Sequence, residues 1–109
     1  KTGSQDGPAL EASFNGLHAI AVDAEGTLFL SDHQNGRIRM LKDNMVSTLA
    51  PRTKLDAPVG GPKSVLVGPD GSVYFADHVK HCVRVVSREG LVRTLLCISL
   101  VTAGLKVMA

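Results

Sequence analysis

Tryptophan is absent from this chain, and its aromatic complement stops at three phenylalanines and one tyrosine. That scarcity argues against a surface built on stacked bases, which needs aromatic platforms among its cations. Charge of neither sign dominates: 12 Lys and Arg stand against 10 Asp and Glu, a net of +2. Such a balance gives little bulk attraction to a polyanion. Cysteine is limited to Cys82 and Cys97, with no Cys-x-x-Cys or other ligand spacing. Cys82 alternates with apolar residues and reads as a small apolar filler, with a disulfide to Cys97 as the alternative. The longest apolar run, residues 95–101, is interrupted by Ser99 and falls far short of the roughly 20 residues that span a bilayer. The opening stretch, Lys1-Thr-Gly-Ser-Gln-Asp-Gly-Pro, lacks a signal-peptide core. A soluble protein without membrane contact is expected, its compartment unassigned. No Gly-x-Ser-x-Gly elbow occurs, and the glycines do not form a phosphate loop.

What the chain does contain is a repeat. Residues 16–41 return at 61–86, offset by 45 positions. Gly16/Gly61, Val22/Val67, Gly26/Gly71, Asp32/Asp77, His33/His78 and Arg39/Arg84 are identical, and most other pairs keep their character. With one residue inserted near Glu89, Val46, Thr48 and Leu49 fall on Val92, Thr94 and Leu95. A period of roughly 40–50 residues holding several short strands is the mark of propeller blades. Blades bury their faces only against neighbours, so two of them leave sheet faces bare. The expectation is a fragment of a larger ring, completed by the missing blades or by self-association.

Strands are expected at 18–23, 27–31, 37–42 and 45–50 in the first copy, and at 64–67, 72–76, 82–87 and 91–96 in the second. Ala24-Glu25-Gly26 and Gly68-Pro69-Asp70-Gly71 are hairpin turns, with Gly26 and Gly71 supplying the positive φ. No helical period competes, apart from one possible turn at 9–14. The chain divides into a lead-in at 1–15, a first blade at 16–50, a connector at 51–60 rich in Pro and Gly, a second blade at 61–96, and a tail at 97–109 left without a blade. Phe14 is expected to tuck beneath the first blade.

The run Gly16-Leu-His-Ala-Ile-Ala-Val-Asp-Ala-Glu-Gly-Thr-Leu-Phe-Leu-Ser-Asp, followed by Asn35-Gly-Arg-Ile-Arg, resembles an NHL repeat. The run from Gly61 through Asp77, followed by Val83-Arg-Val, resembles a second. The lead-in Asp6-Gly-Pro-Ala-Leu-Glu-Ala-Ser-Phe resembles the linker that precedes such repeats. The second copy departs from the pattern where Lys80 and Cys82 replace Asn35 and Arg37. The resemblance, which spans residues 3–96, implies an all-β fold: a β-propeller fragment of two four-stranded antiparallel blades of NHL type. It further implies a closed ring of about five or six blades that binds protein, RNA or small ligands on one rim. Some related propellers are enzymes, among them lactonases, strictosidine synthase-like proteins and amidating lyases.

Asp32-His33 and Asp77-His78 recur at one blade position and so share a rim. They could hold a metal or move a proton, but repetition in successive blades favours a structural role, each Asp capping the turn after the second strand. Asp77, His78 and His81 form the only grouping with a metal-like spacing, and a loop of this kind orients two ligands where three or four are needed. Neither a metal nor a cofactor is expected. Arg37, Arg39, Lys42, Lys80, Arg84, Arg88 and Arg93 are read as a solvated basic side of the outer strands, with Arg39 alternating against Ile38 and Met40. The preferred function is a non-catalytic scaffold that binds a protein partner through rim loops carrying His33, Asn35, Arg37, His78, Lys80 and His81. The alternatives are part of a propeller hydrolase or lyase whose active site lies outside these residues, and an RNA-binding rim.

Overall fold

The computed structural model describes residues 2–101 and 104–108, and for the side chains residues 2–98. Two antiparallel sheets account for the described chain, and no helix occurs among the described residues. The first contains β1 (Gly7–Pro8), β2 (Leu17–Val22), β3 (Leu28–Asp32), β4 (Arg37–Lys42) and β5 (Met45–Ala50), in the spatial order β1-β5-β4-β3-β2. The second contains β6 (Pro62–Val67), β7 (Val73–Asp77), β8 (Cys82–Val86), β9 (Val92–Val101) and β10 (Gly104–Met108), ordered β10-β9-β8-β7-β6. No described helix is long and apolar enough to cross a membrane.

Each sheet is a four-stranded meander whose strands follow one another through short turns, as sequence-adjacent strands usually do. The turns after β2 and β6 close on Gly26 and Gly71, at φ +87° and +85°, a backbone region that side chains with a Cβ seldom enter. The sheets lie closest along β2 and β6, and no comparable contact joins their outer strands. The pair is therefore two wedges meeting at their narrow edge. Phe29 and Ile38 of the first sheet meet Val73, Phe75 and Val86 of the second in one buried cluster, closed from outside by Leu49, Ala50 and Val59. Ala19 and Ala21 lie on the same face as Phe29 by strand alternation, and their small size lets β6 approach: the Ser31 hydroxyl donates to the Lys63 carbonyl at 3.0 Å.

Both sheets carry a fifth strand beyond the four expected. The lead-in contributes β1, pairing Gly7 with Val46. The tail, left without an assignment, continues β9 and folds back as β10, pairing Met108 with Cys97. The possible turn at 9–14 is a single loop of chain, with Glu11 and Ala12 N–H both donating to the Pro8 carbonyl.

Cys82 is not an apolar filler. It forms a disulfide with Cys97 across the β8–β9 pair, with a Cα–Cα distance of 4.0 Å. The two are direct partners in the ladder because a register shift between Val83 and Arg84 moves Cys97, rather than Leu96, opposite Cys82. A cross-link closing a loop of 15 residues restricts the unfolded chain and is worth about 3 kcal/mol. The Cys82→Ser, Cys97→Ser variant is expected to lose about that much in urea unfolding, and to match the reduced wild type. A double variant as stable as the oxidised protein would refute the cross-link.

Candidate functional site

Asp32 and Asp77 end β3 and β7, and each is the anchor of a buried ion pair. Asp32 Oδ2 accepts from Arg39 Nη1 at 2.8 Å, and Asp77 Oδ2 from Arg84 Nη1 at 3.1 Å. The same guanidinium nitrogen then donates to a backbone carbonyl 26 residues upstream: Ser13 for Arg39, Pro58 for Arg84. The carboxylates also take backbone N–H groups at the entry to the inner strand, Asn15 for Asp32, and Gly60 and Gly61 for Asp77. Asn35 Nδ2 adds a bond to Asp32, and the Lys80 N–H adds one to Asp77. One aspartate thus ties together the end of β3 or β7, the following loop, the third strand and the segment that arrives from upstream. Burial alone would raise the Asp77 carboxyl, but the N–H groups of Gly61, Gly60 and Lys80 and the Arg84 guanidinium outweigh it and hold the group below the usual carboxylate range.

The arginines are consequently not solvated. Arg39 and Arg84 are buried, Arg39 lying beneath the lead-in, where it also pairs with Asp6 at 2.7 Å and stacks over the Phe14 ring at 4.8 Å. Strand alternation alone puts them on the outward face. That face is covered by chain returning across it, and the guanidinium is needed there to satisfy the carboxylate and the returning carbonyls. Arg88 is also engaged, spanning the sheets to Asp23 at 3.1 Å and lying over Phe29.

The open end of the β2–β3 and β6–β7 hairpins, where Asp32 and Asp77 lie, gathers every histidine of the sequence. His18 and His33 rings stand 4.8 Å apart edge to face, His33 and His78 6.3 Å apart, and His78 and His81 6.1 Å apart. The file runs across the junction of the two sheets. His33 Nδ1 lies 3.2 Å from the Pro62 carbonyl of the second sheet. Gly61 permits that approach, since a Cβ there would come within 2.6 Å of both His33 and Val79. His18 is held below its ordinary value by partial desolvation first, then by His33, the Lys63 ammonium and His78. His81 is held at φ +57° in the place where the first copy has Gly36 at φ +62°, a conformation costly for a residue with a Cβ.

The structure therefore brings His33, His78 and His81 into one file, with Asn35, Arg37 and Lys80 in the same two loops. Asn35 and Arg37 are partly engaged with the lead-in, at Gly3 and Ser4. Of the weak metal grouping, Asp77 is buried in its pair with Arg84 and points away from service as a ligand, while His78 and His81 are exposed. No three His, Cys, Asp or Glu among the described residues come together in a metal-holding arrangement. Sequence reasoning did not single out His18. Its repeat partner is Lys63, so repetition offered no signal, and only the turn of β2 against the β3–β4 loop places it beside His33.

No protein-family model matches this chain, and no curated protein does. Among solved structures it is similar to selenomethionine-substituted virginiamycin B lyase from Staphylococcus aureus, at 15% identity and a TM-score of 0.64. The match covers 95% of this chain and 38% of the lyase, so the chain spans well under half the length of that structure. At this identity the likeness speaks for the fold, a β-propeller, of which the two sheets are adjacent blades.

Proposed function

We propose that the two blades are of NHL type and act as a non-catalytic scaffold, binding a protein partner through the rim formed by the β3–β4 and β7–β8 loops. The observation that carries this reading is His81. It keeps an imidazole on the rim at a backbone angle for which the first copy uses glycine, and strain of that kind is retained where the side chain has a use. The chemistry of the rim favours a partner rich in carboxylates. Its exposed side chains are His78, His81 and Lys80, together with Gln34 and Val79, while Asp32 and Asp77 are already occupied by arginine and N–H donors.

A photo-reactive side chain at exposed Gln34 should capture a discrete protein adduct that the same probe at Glu25, on the opposite rim, does not. Combining the Gln34 probe with His81→Gly should reduce that adduct several-fold, while the backbone relief raises stability by up to about 1 kcal/mol. Equal labelling from both rims, or labelling indifferent to His81→Gly, would count against the proposal.

A second reading keeps the same rim within an enzyme. The similar structure is a lyase, and paired imidazoles such as His18 and His33 can pass a proton. On that reading the other reacting groups lie outside these blades. The RNA reading loses two of its seven cations to the interior, Arg39 and Arg84.

A further inference from the structure

The two blades differ at the rim end of their outer strands. In the first, β5 stops at Ala50 and the chain leaves the sheet at Pro51. With the inserted residue near Glu89 counted, the repeat equivalent of Pro51 is Cys97, and that of Arg37 is Cys82. In the second blade β9 runs on to Val101, past Cys82, the last residue of β8 that it pairs with. From Cys97 onward its partner is β10. The disulfide therefore stands where this extension leaves the blade.

The same corner is tied to the rim loop. His81, at φ +57°, precedes Cys82, and its carbonyl accepts from the Ile98 N–H at 2.8 Å. Ile98 follows Cys97, so a covalent bond and a hydrogen bond lie side by side between loop and extension. The other end of the β8–β9 hairpin is closed independently: the Ser87 N–H donates to the Leu91 carbonyl, and the Gly90 N–H to that of Ser87. Cutting the cross-link thus frees the open end and spares the turn. Beyond Cys97 the extension is a two-stranded ribbon, a unit only marginally stable in water without support. Both cysteines are half-buried beside exposed Lys80 and His81, within reach of a thiol reagent. Cys82 Sγ lies 3.2 Å from the Lys80 carbonyl, an acceptor for the thiol proton once the disulfide is broken.

We infer that the Cys82–Cys97 disulfide is a redox clasp on the rim: oxidised, it holds the extension and the His81 backbone in place, and reduced, it releases both. The reductant is a dithiol. Its thiolate attacks one Sγ, which breaks the S–S bond and forms a mixed disulfide, and its second thiol then displaces the remaining cysteine. Two electrons and two protons pass to Cys82 and Cys97, and the reagent leaves as its own disulfide. Freed from Ile98, His81 relaxes out of positive φ, and its imidazole leaves the file beside His78. As a control on partner binding the clasp rests on the scaffold reading given above; as a conformational device it stands without it.

Native-state hydrogen exchange read by NMR, with and without dithiothreitol, tests the clasp. The Ile98 N–H should be protected in the oxidised protein and, once reduced, exchange within about tenfold of the rate of an unstructured peptide. The amides of Phe29 and Phe75, on the central strands, should stay at least about a hundredfold slower than that rate in both states. Cys82→Ser with Cys97→Ser should behave as the reduced wild type and ignore dithiothreitol. The photo-adduct from Gln34 should fall several-fold on reduction, and equally in the double variant without reductant. An Ile98 N–H that keeps the protection of Phe75 after reduction would overturn the inference and leave the disulfide a static brace. Loss of protection at all three amides would overturn it too, since the whole fold would then depend on the cross-link. An adduct unchanged while Ile98 is freed would overturn the clasp as a control on the rim and leave the scaffold standing. Absence of any adduct in either state would sink the scaffold reading alone, because exchange at Ile98 reads the clasp without a partner.

Discussion

Replacing Asp77 by alanine lowers the stability of the chain by about 3–5 kcal/mol, and Asp32→Ala does so by a similar amount. Neither loss is that of a surface ion pair. Asp77→Ala leaves the Arg84 guanidinium buried without its counter-charge and orphans the N–H groups of Gly60, Gly61 and Lys80. An uncompensated buried charge costs far more than the pair itself contributes. Small domains have only about 5–15 kcal/mol in total, so either variant should be partly unfolded at room temperature. Asp70→Ala is the control: that carboxylate serves one exposed turn, accepting from the Ser72 N–H and hydroxyl, and its loss should cost about 1 kcal/mol. Urea unfolding followed by circular dichroism reads all three. If Asp77→Ala were no costlier than Asp70→Ala, the aspartate would not be the blade's anchor.

The same anchor sets an acid limit. Because the folded chain holds Asp77 below the usual carboxylate range, the unfolded chain, with an ordinary value of about 3.9, binds more protons as the pH falls. Stability from this group is therefore complete above the unfolded value and is lost as pH drops through the folded one. Asp77→Asn should start from a lower stability and show a flatter acid limb.

The strands and turns were legible because alternation and turn chemistry are local. The expected segments 37–42 and 45–50 coincide with β4 and β5, and the other strand ends lie within two residues of those observed, except that β9 runs on to Val101, five residues past the expected end at 96. Alternation assigns residues to two faces but does not say which face is covered, and this hid the burial of Arg39 and Arg84. Their cover is the lead-in and the connector, segments too irregular to announce where they return. The disulfide was hidden for a related reason. Both sheets have a register shift in the same place, between Ile38 and Arg39 in one and Val83 and Arg84 in the other. A bulge of one residue exchanges every cross-strand partner beyond it, and nothing in the spacing of Cys82 and Cys97 discloses it. Of the four histidines that the fold gathers, repetition pointed to His33 and His78 and the spacing from His78 pointed to His81, whereas His18, whose repeat partner is Lys63, carried no signal.

Phe75→Ala and Leu30→Ala make the same kind of deletion at the same place in the repeat, yet they should differ several-fold in cost. Phe75 lies in the buried cluster between the blades with Phe29, Ile38 and Val73, where its loss leaves a cavity and costs about 3–5 kcal/mol. Leu30 is half-buried on a face with no blade against it, so in a single copy its loss costs about 1 kcal/mol. The difference belongs to the neighbour and not to the residue. Urea unfolding of both variants reads the difference. A Leu30→Ala cost as large as that of Phe75→Ala would mean that the face of Leu30 is covered within the single chain, and the wedge geometry would have to be abandoned.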